Sequence, residues 1–251
     1  MAAQESIIET AEYRLVLVIP ETRNVLAISG THGYRLPSVR TPQWTRPAEQ
    51  LQKAIRAAWG MHAVVLDFLS ASESSAACAV AEVLESNENS ELKPIMVTQL
   101  PPIALEEQQR AHLEGVLAGD TNVNSPFSRV GWIDEAIVWV ESETGRKLSS
   151  KSSIEQYNAG GAFSLVRFHT EDDWDYWLKA TGEPNAHEPS ITALLSRLCG
   201  DYLPEIISSR PAWNAWLMSG EGSRVDEMPV ERFQLFTILE DAVESLSLIH
   251  I

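Results

Sequence analysis

Two kinds of apolar pattern run along the chain, and they predict different elements. Short blocks rich in Leu, Val and Ile occur at Tyr13–Ile19, Val25–Ser29 and Ala63–Leu69. Their length and β-branched content predict strands, and the turn Glu21-Thr22-Arg23-Asn24 predicts a hairpin between the first two. Elsewhere apolar positions recur every three or four residues. Pro47 opens such a stretch, Leu51, Ile55 and Trp59 share one of its faces, and Gly60 follows it. Proline suits a first helical turn, which needs no N–H partner, and glycine suits a helix stop. Ala76–Glu85 reads as a second helix, Ile95–Gln99 as a strand, Gln108–Leu117 as a helix ended by Gly119, and Ile133–Ser142 as another helix.

The polar, low-complexity run 148–153 then interrupts the pattern and predicts a linker. Beyond it lie strands at Ile154–Tyr157 and Phe163–His169, joined by Asn158-Ala159-Gly160-Gly161-Ala162. The short strand Tyr176–Ala180 follows the acidic turn Glu171-Asp172-Asp173. Pro189 starts a helix carrying Ile191, Leu194, Leu195 and Leu198, which Gly200 ends. Tyr202–Ser208 and Trp213–Met218 read as two more strands, and Val230–Leu246 as a final amphipathic helix. The expected class is α+β in two domains, 11–147 and 154–251, separated by 148–153.

Composition narrows the function. At 251 residues and 44% hydrophobic, the chain is large and apolar enough to bury real cores. A net charge of -16 argues against general binding to nucleic acid or to an anionic membrane, whose partners must be basic. Apolar runs such as Leu15–Pro20 are far short of the roughly 20 residues that span a bilayer. Cys78 and Cys199 are far apart, so neither a disulfide framework nor a zinc site is expected. No basic, then apolar, leader opens the sequence. A cytoplasmic location is the expectation. The charge is uneven: from Arg14 to Arg56 there are seven basic residues against Glu21 and Glu49. Either these charges neutralise one another locally or they form a basic face for an anionic ligand or docking partner.

The stretch from Tyr34 to Val65 resembles the Nudix hydrolase family, through Leu36-Pro37, a loop, Pro47-Ala48-Glu49-Gln50-Leu51, a helix and Trp59-Gly60-Met61 between strands. In that family the helix carries glutamates that bind divalent ions for pyrophosphate cleavage. Here those positions are Ala54, Ala57 and Ala58, and Ser38-Val39 replaces the family's Gly-Gly. The resemblance thus implies the scaffold without the chemistry.

The stretch from Gln156 to about Met218 resembles the N-terminal, nucleotide-binding lobe of the aminoglycoside phosphotransferase and choline kinase-like family. The order is a glycine turn, a strand lysine (Lys179), a glutamate opening the next helix (Glu188), and two strands. The resemblance implies that Asn158, Gly160 and Gly161 cover the phosphates of ATP or GTP with Mg²⁺, and that Lys179 contacts the α- and β-phosphates. Glu188 would hold Lys179, or would simply complement the positive end of its helix. The backbone at Trp216 to Met218 would meet the base. None of the six histidines precedes a Gly-Asp pair, so the catalytic loop expected of such a kinase is missing. The residues after Met218 suffice for one helix, and the uncapped apolar ending Leu246–Ile251 suggests a piece of a longer protein. The expectation is therefore a fragment of a phosphotransferase for an unknown small-molecule acceptor, inactive alone, with self-association possible through a face left bare. The alternative is a non-catalytic ligand- or protein-binding module on the Nudix-like part.

Overall fold

The computed structural model describes residues 9–31, 33–43, 46–69, 77–86, 91–119, 125–199 and 203–220. Among these residues the fold is mixed α+β, with two sheets and four α-helices. The expected helix Val230–Leu246, the ending Leu246–Ile251 and Gly200 lie outside the described residues.

Strand β1 (Thr10–Val18) is the axis of the first sheet. It pairs antiparallel with β2 (Val25–Gly30) through the expected hairpin, and its first half pairs with β4 (Ser38–Pro42). Two short strands, β3 (Gly33–Arg35) and β7 (Leu92–Ile95), pair with β2. On its other side β1 runs parallel to β6 (Ala77–Glu85), and β6 pairs antiparallel with β5 (His62–Leu69).

Successive residues of β1 are buried on opposite faces. Leu15 and Leu17 pack with Leu51 and Ile55 of α1 (Pro47–Trp59), while Val16 and Val18 pack with Leu113 and Val116 of α2 (Glu107–Ala118). Helices thus cover both faces of the sheet, which is why its strands read as unbroken apolar runs. Helix α1 begins at Pro47 and stops where Gly60 takes the left-handed conformation, φ 66°.

Three sequence expectations change. Of Ala76–Glu85, expected as a helix, Ala76 lies outside the described residues, and Ala77–Glu85 forms strand β6. Its alanines favour a helix locally, but Ala79 and Ala81 are buried against α1 and Val80 against α2, which only a strand between two layers permits. The strand expected at Ile95–Gln99 instead ends at Ile95, and Val97–Gln99 is a 3₁₀ turn. The strand expected at Tyr202–Ser208 is β11, at Ile206–Arg210; Trp213 ends a 3₁₀ turn, and the last described strand, β12, is Ala215–Ser219.

The second sheet is antiparallel throughout, in the order β11-β12-β10-β9-β8. Here β8 is Glu155–Asn158, β9 is Phe163–His169 and β10 is Asp175–Thr181. Helix α4 (Glu188–Cys199) connects β10 to β11. One face of the sheet, with Val166, Phe168, Tyr176, Leu178 and Leu217, packs on α3 (Trp132–Thr144). That helix precedes the polar run 148–153, so the core of the second sheet is completed from the first part of the chain. The run itself is tied down: Leu148 bridges Thr170, and the Ser149 N–H donates to the His169 carbonyl. Two glutamines stitch β8 to the first sheet. The side chain of Gln156 accepts from Val65 N at 2.6 Å and donates to Val65 O at 2.7 Å, as a neighbouring strand would. Gln52 of α1 donates to Ile154 O and accepts from Gln156 N. No described helix is long and apolar enough to cross a membrane.

Candidate functional site

Alternation along β10 decides which way its lysine faces. Tyr176, Leu178 and Ala180 are buried towards α3, so Asp175, Trp177 and Lys179 stand on the opposite face. Lys179 lies opposite Leu165 of β9 and Trp216 of β12. Its ammonium is 5.7 Å from the centre of the Phe163 ring and 5.6 Å from that of Trp216, within cation–π range. Across this face α4 delivers Glu188, and Lys179 Nζ forms an ion pair with Glu188 Oε1. Both side chains are partly shielded, at 25% and 33% exposed. Glu188 is in the first turn of α4, where a carboxylate also complements the helix dipole, so the two roles foreseen for it coexist.

Met218 faces the same way as Trp216, opposite Trp177. Asn158 ends β8 and pairs with Leu165 at a bulge. The glycine turn is braced from behind. Gly160 has φ 105°, which a side chain rarely adopts, and a Cβ there would meet Asp67 and Phe68 of β5 at 3.5 Å. The Gly161 carbonyl accepts from Ser125 Oγ at 2.7 Å, and Gly182 N–H donates to the Ala162 carbonyl. A Cβ on Gly182 would fall 2.1 Å from Gly161 O, so glycine is required for this approach. The structure thus brings Lys179, Glu188 and Trp216 into one cluster and fixes Gly160 and Gly161 against the first sheet and residue 182.

Sequence reasoning missed Phe163, Ser125 and Gly182 as supports of this face. Gly182 carried a signal, a glycine directly after the lysine-bearing strand. Also missed is a polar network at the far end of the face. Arg167 lies between Glu155 and Asp175, and His169 is 2.5 Å from Asp175 through Nδ1 and 3.5 Å from Glu155 through Nε2. Burial alone would raise the Glu155 pKa, but the Tyr157 hydroxyl with His169 and Arg167 holds it below the ordinary value.

On α1 the positions where the Nudix pattern calls for metal ligands carry no oxygen. Ala54 is half-buried, and Ala57 and Ala58 are exposed. Among the described residues no three of His, Cys, Asp or Glu converge to hold a metal ion. The basic stretch is largely engaged locally: Arg40 with Glu12, Arg46 and Lys53 with Glu49, Arg23 with Leu117 O and Arg14 with Ala104 O.

No family model matches the chain, and no curated protein does. Among solved structures, a UDP-X diphosphatase is similar to part of it, with 19% identity and a TM-score of 0.32. The similarity covers 45% of this chain and 64% of that one, so it spans less than two thirds of the diphosphatase.

Proposed function

We propose that the second sheet and α4 form the nucleotide-binding lobe of a small-molecule phosphotransferase. The observation that carries this is the Lys179–Glu188 pair, formed between a sheet strand and the helix that follows it. Kinases need such a pair to present the lysine to the nucleotide phosphates. Lys179 contacts the α- and β-phosphates of ATP or GTP, and Glu188 orients it. Asn158, Gly160 and Gly161 line the phosphates with backbone N–H groups, and the strand backbone at Trp216 to Met218 meets the base. Phe163 and Trp216 narrow the positions open to the ammonium.

In this reading Mg²⁺ accompanies the nucleotide as the counter-ion of its phosphates. No chemical step is assigned to this chain. In the enzyme this reading implies, the acceptor is a small hydroxylated molecule. The preceding region, in this reading, keeps a Nudix-like scaffold as the support of the lobe.

The test is titration of the chain with ATP and GTP beside Lys179→Ala and Glu188→Gln. Loss of a charged phosphate contact weakens binding about tenfold or more in Lys179→Ala. Glu188→Gln falls between that variant and the native chain. Equal affinity in the native chain and Lys179→Ala overturns the assignment.

A further inference from the structure

A cleft of about 400 Å³ opens where α1 meets the second sheet, and its size suits a small molecule. It is lined by Lys53 and Arg56 of α1, His62 at the start of β5, and Glu155 and His169 of the second sheet. Neither Lys179 nor Glu188 nor the glycine turn is among its lining residues; it lies at the far end of the open face, beyond the residues proposed to bind a nucleotide.

Arg56 is the first residue there with no task in the fold. Its basic neighbours on the same stretch are matched, Lys53 at 2.7 Å and Arg46 at 3.8 Å from Glu49. The Arg56 side chain makes no ion pair or hydrogen bond among the described residues; its carbonyl accepts from Gly60 N–H at the end of α1. Both carboxylates of the cleft are already engaged. Glu49 serves Arg46 and Lys53, and Glu155 accepts from the Tyr157 hydroxyl at 2.7 Å and lies beside Arg167 and His169. The charge left over in the cleft is therefore the Arg56 guanidinium, whose fork suits phosphate and carboxylate.

His62 is the second. It is 5% exposed, and its Nε2 lies 3.0 Å from the Ile154 carbonyl. A carbonyl only accepts, and Gln52 Nε2, 3.4 Å from the same ring nitrogen, already donates to the Ala63 and Ile154 carbonyls, so the tautomer with the proton on Nε2 is the one that matches this site. Burial, with the Arg56 charge, lowers the pKa of the ring against the opposing effects of the Ile154 carbonyl and Glu85. Nδ1 is then an acceptor, and it is buried with no partner. Buried acceptors are normally matched, so an unmatched one beside a cleft points to something that donates to it.

We propose that this cleft binds a small anion of phosphate or carboxylate type that also bears a hydroxyl or amino group. Arg56 holds the anionic group, and His62 Nδ1 accepts a hydrogen bond from the donor. The site is on a different flank of α1 from the one the Nudix pattern uses. At about 100° per residue, Ala54 and Arg56 lie on opposite sides of the core-facing Ile55. Ala58 falls on the Ala54 side, and Gln52 on the Arg56 side.

The experiment is calorimetric titration of the full chain with four probes: inorganic phosphate, glycerol 3-phosphate, lactate and glycerol. Glycerol 3-phosphate or lactate binds more tightly than inorganic phosphate, the better of the two naming the anion type, and glycerol does not bind. Arg56→Gln, a change at an exposed position, weakens the charged probes about tenfold or more. His62→Leu, which has no acceptor and leaves the Ile154 carbonyl its Gln52 amide, removes the advantage of the hydroxylated probes over inorganic phosphate. Absence of binding by every probe overturns the proposal, as does equal affinity in Arg56→Gln. Loss of binding in Lys179→Ala also overturns it, by moving the anion to the nucleotide face; the nucleotide reading fails separately, in the ATP and GTP titrations.

Discussion

The two sheets bury themselves differently, and the difference decides where chemistry can sit. The first is covered on both faces, by α1 and by α2, and Leu15, Val16, Leu17 and Val18 are all fully buried. It has no open face, and its functional-looking polar groups, such as His62, lie at its margins. The second is covered on one face, by α3, and its other face carries Lys179, Arg167, His169 and Asp175. A sheet with one open face can present charged groups on alternate residues of every strand without burying them. A sheet sandwiched between helices cannot, because each charge would lose its water.

Removing the shared cover is the largest perturbation. Trp132 of α3 is 1% exposed and meets Trp213 of the second sheet's core at 6.1 Å between rings. Trp132→Ala costs about 3–5 kcal/mol in chemical denaturation, with the tryptophan and circular dichroism signals lost in one transition. A cost below about 1 kcal/mol would show that the second sheet does not depend on α3.

Glu82 is the exception that sharpens the rule, a carboxylate fully buried in β6 of the sandwiched sheet. Burial pushes its pKa from 4.5 to about 7, although the Gly131 N–H at the start of α3 donates to it at 2.6 Å. The folded state therefore holds the proton more tightly than the unfolded chain. This penalty is absent below pH 4.5, grows as the pH rises to about 7, and stays constant above. Unfolding free energy measured across that window falls with pH by up to about 3 kcal/mol from this group, and Glu82→Gln flattens the slope.

The glycine turn comes next, where the two sheets touch. Gly160→Ala costs about 1–3 kcal/mol in thermal or denaturant unfolding, because φ 105° strains any side chain. Gly161→Ala is close to neutral, since its Cβ would sit in ordinary contact, 3.6 Å from Ser125 Oγ. Equal costs would remove the bracing of the turn from the comparison.

The smallest effect on stability is on the open face. The Lys179–Glu188 pair is partly solvated, so Lys179→Met changes unfolding free energy by less than about 1 kcal/mol. A larger change would mark the lysine as a structural element of the sheet.

The same contrast explains what could be read in advance. In β9 and β10 the buried residues alternate with partly exposed ones, and both strands were recognisable with their lysine. Lys179 and Glu188 were singled out by a resemblance to a phosphotransferase lobe, and the strand and the helix that carry them are consecutive in the chain. Strand β6 could not be recognised, since burial on both faces erases alternation and its alanines favour a helix. The cleft was equally hidden. Gln52 and Gln156 are 104 residues apart, and only the fold reveals that they join α1 to β8. His62 and Arg56 look ordinary in sequence; their meaning comes from the partners that the fold does and does not give them.

By itself the sequence determined the α+β class, the hairpin of β1 and β2, and the limits of α1 at Pro47 and Gly60. These are local properties, fixed by periodicity, helix-end chemistry and short-range order. The tertiary structure alone decided that β6 is a strand, that α3 completes the core of the second sheet, that Glu82 is buried, and that Arg56 and His62 share a cleft. Each of these depends on contacts between distant segments, where burial of apolar surface outweighs the local preference of any one segment.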